Sequence, residues 1–406
     1  MSDIPSEILL EMLLRLPAKS LFRFRTVCKA WRRIIDDPSF IKSHNNNQHS
    51  DTTLFIRTST GTLYSLSLDS LNYTNGQQTI DVTHVKNVVR QGVPRLPAFP
   101  VASCHGLILI SHYDIKKIWV IWNPLTGEFH ELPQPDIDVR LIGSGLGYDS
   151  VSDDYKVVRI DEMCRNGKVV YQTFVYSLKL NSWKMIRDCP CDFSWGSQGV
   201  FLNGALHWIS WDMIIALDLA VEDYRQLPLP SVRLPVDKRL DALGGCLILS
   251  DAYAMKRAWV MKDYGVENSW MDLFSSRERD SMGGLGYLWP IAYLKSKGQL
   301  IMQHDSNIIC WDIDKSCAKK VTIHGLPDFL SSQICPGSLF RLDDNCCVGG
   351  SVAAKRTAGV KRKRKKANTS PDGVWKRPPQ GVLRVDVDAC FNEKENPHTV
   401  GGIVQR

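Results

Sequence analysis

The sequence has no run of about 18 apolar residues, the length a membrane-crossing helix needs, so no such helix is expected. Its first residues, Met1-Ser2-Asp3-Ile4-Pro5, lack the basic-then-apolar order of a secretory leader. Among twelve irregularly spaced cysteines there is no CxxC pair to start a zinc site. Cys189-Pro190-Cys191 and Cys346-Cys347 are close pairs, but a metal needs ligands arranged around one centre. Reduced thiols in a cytosolic or nuclear protein are expected, and no metal or cofactor. Basic residues are also scarce where a nucleic-acid-binding surface would need them. The net charge is +7, but eight Lys/Arg fall between Lys355 and Lys366 without an acidic residue among them. Setting those eight aside leaves a net charge of −1. The body is nearly neutral, so nucleic acid is not an expected partner.

What the sequence does hold is ordinary globular material: 406 residues, 44% hydrophobic and 23% charged. That suits two or three domains with a sizeable core. The first 45 residues differ from the rest. Asp3 is a possible helix cap, with Pro5 in the first turn. Ile8, Leu9, Met12 and Leu13 recur at helical spacing until Leu16-Pro17 ends the run. A second helix is expected from about Ala18–Ser20, carrying Leu21, Phe24 and Val27. A third is expected over Lys29–Asp36 with Trp31, Ile34 and Ile35, followed by a turn around Asp37–Phe40. Three short helices bury little surface by themselves and favour a partner. By pattern alone this unit is equally a helical cap on the next domain.

Three segments resemble the F-box: Ile4-Pro5-Ser6-Glu7-Ile8-Leu9, Leu14-Arg15-Leu16-Pro17-Ala18-Lys19-Ser20-Leu21 and Arg25-Thr26-Val27-Cys28-Lys29-Ala30-Trp31. The resemblance implies binding to a Skp-type adaptor and, through it, to a cullin–RING ligase. Carried over residue by residue, it assigns adaptor contacts and core to Ile4, Pro5, Ile8, Leu9, Leu16, Pro17, Leu21, Val27, Cys28 and Trp31. Trp31 is then an anchor and Cys28 a packing residue, since no base stands beside it in the sequence.

After the polar stretch Asn45-Asn46-Asn47-Gln48 the pattern turns to short strands. An apolar strand, a turn and an aromatic residue recur. Aligning Trp122, Tyr176, Leu217, Met261 and Trp311 gives spacings of 54, 41, 44 and 50 residues. Such periods fit propeller blades, and with a first set near Leu54–Leu68 about six are expected. In three copies a second aromatic follows seven residues on, at Phe129, Trp183 and Tyr224, which suits a hairpin.

This region resembles plant F-box-associated, kelch-like domains. The matching segments are Cys104-His105-Gly106-Leu107-Ile108, Trp122-Asn123-Pro124-Leu125-Thr126-Gly127, Gly145-Leu146-Gly147-Tyr148-Asp149 with Asp154-Tyr155-Lys156-Val157-Val158, and Asn203-Gly204-Ala205-Leu206-His207-Trp208. They come in the family's order, with His105 where the family often has Asn. In that family this part captures the protein to be ubiquitinated. Each tempting residue has a plainer role. Gly145-Leu146-Gly147 looks like part of a phosphate loop, but no helix follows, and core or turn is expected. His207 is expected to pack within a blade, not to act as a base. Asp153-Asp154 is expected in a turn leading into a strand, since no calcium-loop spacing surrounds it.

From Ser351 the composition shifts again. Lys361, Arg362, Lys363, Arg364, Lys365 and Lys366 form an unbroken basic run, expected to stay extended. It reads as a nuclear localisation signal or a solvated linker. The last stretch, Trp375-Lys376-Arg377-Pro378-Pro379-Gln380-Gly381 with the strand Val382–Phe391, resembles the opening of a plant ribonuclease H-like domain. In that family the strand aspartate, here Asp388, is the first of several metal-holding carboxylates. The later ones are missing, so it is a vestigial candidate and no nuclease activity is expected.

The expected fold is mainly β: an F-box three-helix unit (1–45), a β-propeller of about six blades (50–345), a disordered basic linker (351–372) and a partial α/β ribonuclease H-like fragment (373–406). The expected function is that of a substrate-recognition subunit in an SCF-type (Skp–cullin–F-box) ubiquitin ligase, without chemistry of its own, in nucleus or cytoplasm. No membrane is expected as a partner, and the target is unknown. The alternative is a nucleic-acid-associated protein or a ribonuclease H-like nuclease using the tail.

Overall fold

A computed structural model describes residues 5–342 apart from internal stretches, the longest being 69–79, 85–98 and 275–287. Residues 1–4 and 343–406 lie outside it. The chain opens with four helices: α1 Ser6–Leu14, α2 Ala18–Phe24, α3 Lys29–Ile35 and α4 Pro38–Asn46. Pro5 stands before α1 and Pro17 before α2, at φ −52° and −58°. A proline supplies a suitable φ at a helix start, where its missing N–H costs no intrahelical bond. The sequence reading placed Asp3 as the cap of α1. The cap position is Pro5, without a side-chain bond, and Asp3 lies outside the described residues.

Helix α4 corrects the expectation of a mere turn at Asp37–Phe40. The Asp37 carboxylate accepts the backbone N–H groups of Ser39 (2.9 Å) and Phe40 (3.2 Å). These bonds satisfy donors at a helix start, and the Ser39 hydroxyl, donating to the same carboxylate, together with them holds the Asp37 carboxyl below its ordinary range. Pro38 then takes the first helical position. Leu13, Ala18, Leu21, Ile35 and Phe40 form the small core between the helices.

The remainder is a β-propeller of six blades, each built on four antiparallel strands, with the short strand Ser197–Gln198 adding a parallel fifth at the inner edge of blade 3. Blade 2 shows the plan. Its strands Phe99–Cys104, Leu107–Ser111, Trp119–Trp122 and Phe129–Glu131 pair in sequence order from the axis outward. Blades 3 to 6 repeat it, with innermost strands Arg140–Asp149, Val200–Leu202, Lys238–Leu243 and Leu288–Leu294. Blade 1 is assembled from both ends of the domain. Its innermost strand is Phe329–Pro336, which pairs antiparallel with Thr52–Thr58, Ile56 lying opposite Ser332. The six innermost strands touch their neighbours in a closed ring. Closure leaves no blade with a face uncovered, as the two ends of an open array would have.

The repeat visible in the sequence is the third strand of blades 2 to 6. Its partner aromatics are direct cross-strand neighbours on the fourth strand: Trp122 faces Phe129, Tyr176 faces Trp183 and Leu217 faces Tyr224. Gly145 and Gly147 sit within the innermost strand of blade 3, not in a turn. A Cβ on Gly147 would lie 2.4 Å from Leu219 and 2.7 Å from Phe201. Glycine here lets blade 4 pack directly against the backbone of blade 3.

Candidate functional site

Antiparallel strands divide the connections between two faces. Loops joining first to second strands, and third to fourth, lie on one face. Loops joining second to third strands, and fourth strands to the next blade, lie on the other. The helical module sits on the first of these faces. The chain leaves the last propeller strand there too, and its next residues form a strap between the two parts.

Leu339 of the strap is buried within the helical core beside Leu13, Leu21 and Phe40, with Leu125 of blade 2 packed against the same cluster. Asn123, fully buried, donates from its amide nitrogen to the carbonyls of Ser338 (2.9 Å) and Phe340 (2.8 Å). Its amide oxygen accepts the N–H of Leu125 at 2.9 Å. Glu128 accepts the backbone N–H of Leu342 (3.1 Å) and pairs with Arg341. Thus Asn123-Pro124-Leu125-Thr126-Gly127, legible in sequence only as a turn, is a clasp for a segment some 215 residues away. Across the same joint Lys42 pairs with Asp153 of blade 3 at 3.1 Å, while inside the module His44 Nε2 meets the Leu16 carbonyl at 2.8 Å.

The residues assigned to adaptor contact divide by position. Pro5, Ile8, Val27 and Cys28 are exposed; Leu9, Leu16, Pro17 and Trp31 are half-buried; Leu21 is fully buried in the module core. Ile4 lies outside the described residues. Ile8 is 51% exposed, Met12 54% and Val27 61%, with Leu10 at 41%. Ile8 and Met12 are one helical turn apart and share a face. Leu13 points inward, so the apolar spacing in α1 serves two surfaces. Leu10 and Met12 were not singled out as surface residues, because an apolar pattern does not say which stripe faces out. Cys28 is not the packing residue expected. Its sulfur caps α3, accepting the Trp31 N–H at 3.4 Å. Trp31 stands edge-on to Phe24 with ring centres 5.5 Å apart.

Comparison with known proteins agrees with this geometry. The family described as the F-box associated beta propeller domain matches residues 52–341, and the F-box domain matches residues 1–43. The chain belongs to the F-box proteins that carry an F-box-associated propeller. F-box protein CPR1 of Arabidopsis thaliana is 30% identical over 380 residues, covering 84% of this chain and 89% of that one. The F-box/kelch-repeat protein At3g23880 of the same plant is 29% identical, covering 67% and 79%.

The other residues singled out in this F-box protein have structural partners. His207 is buried, with Nδ1 donating to the Val200 carbonyl (3.0 Å) and Nε2 accepting from the Tyr264 hydroxyl (2.6 Å). Burial favours the neutral ring and lowers its pKa to about 4. Arg225 donates to the same tyrosine oxygen at 2.9 Å. Asp153, in the turn at φ +56°, takes its cations from the protein: Lys42, and Lys179 at 3.5 Å, with the Tyr148 hydroxyl as a further donor. No group of three or more potential metal ligands converges among the described residues. The basic run Lys361–Lys366 and Asp388 lie outside the described residues.

On the face away from the helices the propeller axis opens into a cavity of about 480 Å³. Arg239, Asp241, Trp289, Ser332, Gln333 and Gln198 are among its lining residues. Lys238–Leu243 and Leu288–Leu294 both run toward the helical face, so Arg239 and Trp289 stand at their far ends, by the mouth.

Proposed function

We propose that this F-box protein is a substrate-receptor subunit of an SCF-type ubiquitin ligase. The F-box helices dock on a Skp-type adaptor, the propeller holds a target, and a separate conjugating enzyme carries the ubiquitin thioester. The rate gain is one of effective concentration, with target lysines kept near that thioester. The observation that carries this reading is the two-ended arrangement. Apolar side chains of α1 and the α2–α3 turn are exposed on a module clasped to one propeller face, and the axial cavity opens on the other. Apolar residues exposed on so small a module suit a partner that covers them.

Introducing charge at the exposed face tests it. Ile8→Asp with Met12→Asp is expected to abolish capture of a Skp-type adaptor while the propeller melts as before; buried anchors at such interfaces contribute about 2 kcal/mol or more each. Adaptor capture that survives both changes would sink the assignment. We also propose that Lys361–Lys366 directs the protein to the nucleus. Replacing all six by alanine in a fluorescent fusion should deplete the nuclear signal, and an unaltered distribution refutes that role.

A further inference from the structure

The mouth of the axial cavity holds an arginine fixed on two sides. Arg239 spans Asp241 with two bonds, Nε to one carboxylate oxygen at 2.8 Å and Nη2 to the other at 3.0 Å. Its guanidinium carbon lies 5.2 Å from the Trp289 ring centre. Trp289 is itself held, its indole N–H donating to Gln303 Oε1 at 3.1 Å. Gln303 is fully buried, and the same oxygen accepts the Ser332 hydroxyl at 2.6 Å. Blades 5, 6 and 1 therefore fix one another's side chains at the mouth. Gln333 adds a polar group from the same strand as Ser332, donating to Ser103 Oγ at 2.9 Å and lining the same cavity.

An arginine's planar fork carries five N–H donors in fixed directions. Asp241 occupies one edge of the Arg239 fork. The Nη1 edge has no partner among the described residues, and the side chain is 40% exposed. A guanidinium already oriented by a carboxylate and a ring loses little freedom when it meets an anion. The charge-assisted bonds it would form are stronger than neutral ones.

We infer that the propeller reads its target at this mouth through an acidic side chain, aspartate or glutamate, of an extended peptide segment, with Arg239 as the anion contact and Ser332 and Gln333 as neighbouring polar contacts. Trp289 and Gln303 are positioning residues, and Asp241 sets the angle of the fork. The inference rests on the receptor reading of the propeller but has its own failure point.

The test uses the full chain and pools of randomised peptides with one fixed central residue: aspartate, glutamate, phosphoserine, alanine or lysine. Binding is followed by fluorescence polarisation. The aspartate or glutamate pool is expected to bind roughly tenfold more tightly than the alanine and lysine pools, and the preference should weaken as salt is raised. Arg239→Met with Asp241→Asn removes the ion pair without leaving one charge alone, and should erase the preference. Gln333→Ala leaves the pair intact and should reduce affinity for the acidic pools, so the inference remains testable if the double variant does not fold. Equal binding of alanine and acidic pools overturns the proposal, as does a preference that survives in a folded double variant. A preference for phosphoserine alone overturns the carboxylate assignment. Adaptor capture, measured separately through the F-box, distinguishes these failures from failure of the receptor reading.

Discussion

Leu339→Ala asks whether the helical module and the propeller act as one body. Leu339 belongs by chain order to the segment after the last propeller strand, yet it is 3% exposed within the helical core. Shortening a buried leucine to alanine costs about 2–5 kcal/mol, the transfer loss plus the cavity left behind. Because this side chain bridges the two parts, much of that loss should appear at their joint. A change of that size corresponds to roughly a thirtyfold to several-thousandfold shift in a docking equilibrium. Hydrogen exchange reads it by region. Amides of α4, Pro38–Asn46, should exchange faster in the variant, while those of Ala205–Ile209 in blade 4 keep their protection. Unchanged exchange in α4 would refute the strap as a coupling element. So would equal acceleration in blade 4, which would make Leu339 an ordinary contributor to global stability.

Two further outcomes follow from packing and burial. The folded-state pKa of His207, about 4, lies below its ordinary value of 6.5, so unfolded chains bind the extra proton first. Its stabilising contribution is complete above the ordinary value and is lost as pH falls toward 4, by about 3 kcal/mol at most. Urea melts of the wild type and His207→Gln across that window should converge as the pH drops, and parallel curves would contradict the account. Gly147→Val would drive a branched side chain into Leu219 and Phe201 and should cost about 1–3 kcal/mol or more by overpacking. An unaltered melting temperature would show that blades 3 and 4 are less closely fitted than the geometry says.

The places where sequence reading and structure part are local in cause. The end of the helical module was read too short because Asp37-Pro38-Ser39 looks like turn chemistry. The same aspartate that closes a turn also caps a helix, and Phe40 and His44, both buried, pull the following residues into one. Cys28 was read as packing because no base stands beside it in the sequence, whereas its extended backbone places it as the cap of α3. The exposed side of α1 could not be separated from its buried side, since leucine, isoleucine and methionine are alike in pattern, and packing against Leu21, Ile35, Phe40 and the strap's Leu339 decides which stripe faces in.

The sequence by itself determined the order of the parts and the repeat. Helical spacing, turn residues and alternating strands are local, and a blade's third and fourth strands are neighbours in the chain. For that reason Trp122 with Phe129 and Tyr176 with Trp183 are legible as pairs in the sequence. Tertiary structure alone decided the rest. Thr52–Thr58 and Phe329–Pro336 meet only because six twisted blades close a circle. Asn123 holds Ser338 and Phe340, and Arg239 meets Trp289, only once that circle brings distant strands to one axis. Contacts between residues far apart in the chain leave no period to read, because their spacing is set by the closure of the ring and not by the geometry of any one strand.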